Sequence, residues 1–138
     1  MKRLLLLAVA ALGVACGAPS YTVTATAATP TPVLDVFSCV RTRLETLGFR
    51  QSSLDVDAHR VTARRYDETV RRPDVRFRRM VDVLEIEIQA DAAGQTGLVV
   101  AEKTFAEYFT ERGPTLEQET TSERARAAGQ SVLDACGR

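Results

Sequence analysis

Little in this sequence can carry acid–base, metal or nucleophilic chemistry. His59 is the only histidine, so no second imidazole can complete a zinc site or back up a general base. It starts a strand pattern, which makes it an ordinary exposed edge residue. Asp55 and Asp57 precede it at two-residue spacing. A hard cation needs six or more oxygens, and no calcium-loop pattern follows, so these acids fit turn chemistry. Glu85 and Glu87 would share one strand face, with no sign of a pocket to separate their pKa values. Ser38, Ser52, Ser53, Ser122 and Ser131 lack a nucleophile-elbow context, and no glycine-rich phosphate loop occurs. The three cysteines include no Cys-x-x-Cys pair. No catalytic residue, metal or cofactor is therefore expected. The formal net charge is zero, which gives no reason to expect a nucleic-acid partner.

Long apolar runs are missing too. Met1-Lys2-Arg3 is followed by twelve apolar or small residues, Leu4 to Ala15. A spanning helix needs about 20. A short positive stretch before a short apolar core fits a secretory signal. A buried cytosolic helix does not fit, because the segment has no polar stripe.

The residues at its end, "LGVACG" (12–17), resemble a bacterial lipoprotein signal. Small Ala15 precedes Cys16 and small Gly17 follows it. Gly13 stands where leucine is usual, with Leu12 beside it. The resemblance covers residues 1–17 only, and the domain beyond resembles no family. It implies cleavage before Cys16, a diacylglyceryl group on its sulfur, and anchoring of the mature chain in a membrane. Several acyl chains on one cysteine hold far more firmly than the single chain that binds only reversibly. With Gly17 and Ala18 next and no aspartate beside the cysteine, the resemblance implies an outer membrane, facing the periplasm, in a diderm envelope. The competing reading is ordinary cleavage between Ala15 and Ala28 with soluble release.

An odd cysteine count in an exported protein leaves one to explain. If Cys16 carries lipid, Cys39 and Cys136 remain as a disulfide in an oxidising compartment, 97 residues apart. The alternative is two buried free thiols. With Lys2 and Arg3 removed and all 18 acids kept, the mature net charge is about −2.

Residues 16–32 contain no charge and are rich in Thr, Ala and Pro. They read as a tether whose roughly 16 residues could reach about 50 Å if extended. Tyr21-Thr22-Val23-Thr24 could instead be a brief strand. Residues 33–138 form one small α+β domain. Thr31 caps a first helix with Pro32 at its start. Val33, Val36, Phe37, Val40, Leu44 and Leu47 recur at helical spacing, and Gly48 ends the run. Thr120 and Glu123 suggest a capping box for a last helix that aligns Ala125, Ala128, Val132 and Cys136. Three strands lie between: His59–Tyr66, about Val75–Ala90 with a phase change near Arg78-Arg79, and Leu98–Phe109. The last could turn helical after Glu102. The expected architecture is a two-layer sandwich of helix, three antiparallel strands and helix, with both helices on one sheet face.

Residues 60 to 79 hold eight arginines and three acids. Arg60, Arg64, Arg76 and Arg78 are candidates for an anion- or partner-binding surface, because the guanidinium fork suits phosphate and carboxylate. The alternative is cross-strand pairing with Glu102, Glu107 and Glu111. Two functional classes follow. One is a non-catalytic, lipid-anchored envelope domain that binds a protein or an anionic envelope component, in which exposed Val81 and Val83 would favour a protein. The other is a small envelope hydrolase or ligand carrier, with a closed cavity beside Asp55, His59 and Tyr66.

Overall fold

The computed structural model describes residues 21–138. The expected signal segment (residues 1–15), the expected lipid site at Cys16 and residues 17–20 lie outside the described residues. The described residues form a mixed α+β structure with two helices and a six-stranded antiparallel sheet. None of the described helices is long and apolar enough to cross a membrane.

Three strands expected from alternation are present. They are β3 (Arg60–Asp67), β4 (Phe77–Ala90) and β5 (Thr96–Thr110). The phase change in β4 is a register shift between Phe77 and Arg79. After Glu102 the chain stays a strand, paired to β4 on one side and two further strands on the other.

Three more strands correct the expected sheet. β1 (Thr22–Thr29) pairs with the first half of β5, so residues read as tether are part of the sheet. β6 (Gly113–Glu119) pairs with the second half of the same edge. β2 (Arg50–Asp55) closes the far edge against β3, with a register shift of its own. The lateral order is β1–β5–β4–β3–β2, with β6 following on from β1 along the edge of β5.

The first helix, α1 (Val33–Thr46), ends as expected. Gly48 takes a φ of +79°, and its N–H and that of Phe49 donate to the carbonyls of Glu45 and Leu44. This pair of bonds is the Schellman pattern, and only glycine adopts that φ without strain. Its start differs. Pro32 occupies the cap position and Thr31 makes no cap bond. The last helix, α2 (Glu123–Cys136), is capped by Ser122 instead of Thr120, with its hydroxyl accepting from Ala125 N–H.

One apolar cluster joins both helices to the sheet. Val36, Phe37, Val40 and Leu44 of α1 meet Val61, Ala63, Leu84, Ile86, Ile88, Leu98 and Val100. Ala128, Val132, Leu133 and Cys136 of α2 complete it, and Ala25 and Ala27 of β1 pack at its margin. Cys39 and Cys136 form a disulfide with their Cα atoms 5.8 Å apart, tying α1 to α2.

Candidate functional site

The second face of the sheet carries the residues that alternate with this core. Val81 and Val83 lie on it but are buried, so the exposure that would have favoured a protein partner is not found there. Arg64, Tyr66, Glu107, Pro114 and Leu116 surround Val81 and leave a notch of about 170 Å³. The exposed apolar groups of this face are Tyr66, Leu116, Phe109 and Val99.

The four candidate arginines do not merge into one basic surface. Arg60 pairs with Glu87 at 3.0 Å, and Arg76 pairs with Asp74 at 2.8 Å in the turn before β4. Arg78 reaches Glu107 at 3.4 Å and lies over the Phe109 ring. Arg79 also bonds Glu107 and stacks 3.8 Å from the Tyr66 ring centroid. Arg72 bridges to Glu119, which holds that carboxyl below its usual range. Arg64 differs from these. It has no ion pair among the described residues, and its Nε is buried without an acceptor. Arg50 of β2 stands directly opposite it and is likewise unpaired among the described residues. Of the three expected glutamate partners only Glu107 pairs with the cluster.

Two acids lie in the core phase of their strands. Asp82 is fully buried. One carboxylate oxygen accepts from Thr104 Oγ1 (3.0 Å) and Ser122 Oγ (2.8 Å), and the other accepts from Arg65 (3.2 Å) and Arg124 (3.3 Å). Arg65 also donates to Leu47 O at the end of α1 and lies over the Phe49 ring. This network fastens the start of α2 to β4, β5 and the end of α1. Its lone pairs are filled, as a buried carboxylate requires.

Glu102 is 2 % exposed, and its Oε2 has no hydrogen-bond partner. It lies against Gly129 of α2, where an added Cβ would collide with the carboxylate. Desolvation pushes its pKa up to about 7, opposed by Arg126. The sequence signal for both acids was a carboxylate on the apolar side of a strand alternation.

The residues weighed for catalysis do not converge. His59 has a φ of 49° in the β2–β3 turn, and its ring meets Phe37 edge-on at 5.6 Å. It is half-buried, not exposed as expected. Asp55 accepts from Ala58 N–H within that turn. Tyr66 lies seven residues further along β3, about 23 Å away at strand rise. Glu85 pairs with Lys103 at 2.7 Å. Among the described residues no group of three or more His, Cys, Asp or Glu could hold a metal ion. Neither a protein-family model nor a curated protein matches the chain.

Proposed function

We propose that this protein is a lipid-anchored, non-catalytic envelope domain that acts by binding a protein or an envelope component. The disulfide is the observation that carries the reading. It fits an oxidising compartment, and it accounts for two of the three cysteines, leaving Cys16 for the lipid. The two helices then cover one face of the sheet as a single layer. The other face, with exposed Tyr66, Phe109 and Leu116, is the contact surface.

β1 shortens the spacer. Only residues 17–21 separate the proposed anchor at Cys16 from β1, a span of at most about 22 Å at full extension. The domain would sit close to the bilayer, with the β1–β6 edge nearest it. The outer membrane, facing the periplasm, is the expected location in a diderm host.

Replacing Cys16 tests the reading. Cys16→Ser should move the protein from the membrane fraction to the soluble envelope fraction while the Cys39–Cys136 bond persists. Retention of that variant on the membrane would overturn it. The hydrolase or ligand-carrier alternative needs Asp55, His59 and Tyr66 around one cavity, and the position of Tyr66 at the far end of β3 from the other two does not favour it.

A further inference from the structure

Arg50 and Arg64 face each other across β2 and β3. Like charges directly opposite on one face are unfavourable unless an anion lies between them. Arg60, Arg65, Arg72, Arg76, Arg78 and Arg79 each have a carboxylate partner. Arg50 and Arg64 have none among the described residues, and the buried Arg64 Nε lacks even a neutral acceptor. Arg64 is also a wall of the notch over Val81, which Tyr66, Pro114 and Leu116 line with apolar surface and whose one acid, Glu107, is already paired with Arg78 and Arg79. Tyr66 is 42 % exposed and Leu116 40 %. This surface therefore fits an aliphatic side chain next to a carboxylate.

The same chain carries such a segment. The end of β2 and the turn that follows present Leu54-Asp55-Val56-Asp57, with Leu54 41 % and Val56 56 % exposed. Asp55 makes only its turn bond to Ala58, and neither aspartate has an ion pair among the described residues. The turn and the notch sit toward opposite ends of β3, so one copy does not bring its own turn into its own notch.

We propose that the Arg50–Arg64 pair and the Tyr66–Leu116 notch dock the Leu54–Asp57 segment, where β2 runs into its turn, of a second copy. Val56 or Leu54 enters the notch, and Asp55 and Asp57 lie against the arginines. This deepens the interaction reading above and rests on it, naming a second copy as the partner. The contact is head-to-tail, so copies held on one membrane would add in series. Confinement to a surface raises their effective concentration.

The test uses the full chain expressed in its own envelope, with a photo-crosslinking amino acid in place of Leu116. The wild-type background should give a crosslinked dimer whose bridged peptide contains residues 54–57. Arg50→Asp with Arg64→Asp should reduce it at least tenfold, and so should Asp55→Arg with Asp57→Arg. Co-expressing these two charge-swapped chains should restore the dimer, because one has an acidic site and the other a basic turn. Non-reducing gels report the disulfide of each variant, and Arg50→Glu on the exposed edge strand repeats the test without altering β3. No wild-type dimer, crosslinks that survive the swaps, crosslinks to a different protein or to lipid, or no restoration on mixing would each overturn the proposal. Fractionating the same cells separates the two readings. A membrane-bound monomer refutes the dimer alone, and a soluble chain that still crosslinks refutes the anchor alone.

Discussion

Two buried carboxylates with opposite surroundings set the residue-scale behaviour. Glu102 has a raised pKa in the fold, about 7 against the ordinary 4.5. The folded state thus binds its proton more tightly than the unfolded chain. Its contribution is complete below pH 4.5 and is lost as pH climbs toward 7, by up to about 3 kcal/mol. Arg126 is the charged group that opposes this shift. Asp67 and Glu119 act the other way. Thr69 lowers the first and Arg72 the second, so their contribution is lost as pH falls through the carboxylate range. Urea unfolding should give greatest stability in mildly acidic buffer, and Glu102→Gln should remove the decline between pH 5 and 8. An unchanged decline in that variant would assign it to another group. Asp82→Ala would leave Arg65, Arg124, Thr104 and Ser122 without their shared acceptor, at a cost of about 3–5 kcal/mol by the same assay. Gly129→Ala would press a methyl group into the Glu102 carboxylate, costing about 1–3 kcal/mol.

At the scale of elements, β1 and the disulfide decide how the two ends of the chain are held. Removing the crosslink with Cys39→Ser and Cys136→Ser should cost about 2–5 kcal/mol, read as a lower unfolding midpoint in urea. Hydrogen exchange should find the β1 amides that pair with β5 protected, whereas a mobile tether would exchange at once. Periodicity made α1, α2, β3, β4 and β5 legible, because each sets apolar residues at regular spacing among charged and polar ones. β1 hid because "TVTATAAT" contains only Thr, Ala and a single Val, Val23, with no large apolar side chain to mark an alternation. Its inward residues are small because they pack at the margin of the core beside α2. β2 and β6 hid because edge strands with one face in water need few apolar residues. The cap of α2 moved because Thr120, Thr121 and Ser122 could each cap, and tertiary bonds chose among them. Thr121 donates to the carbonyls of Tyr21 and Glu102, while Ser122 serves both the helix and Asp82. The unpaired Arg50–Arg64 couple was invisible for a related reason. Arg50 belongs to a strand that polarity concealed.

The whole molecule joins a proposed lipid at Cys16 to a crosslinked domain through a spacer of a few residues. Two of the three cysteines form the Cys39–Cys136 crosslink of the fold, and the third, Cys16, is the proposed lipid site. Intact mass of the membrane-extracted protein, taken with a thiol-specific label before and after reduction, tests it most directly. The account predicts a chain that begins at Cys16 with acyl mass on it, no label before reduction, and two labels after. A chain without acyl mass, or three thiols that react before reduction, would contradict it.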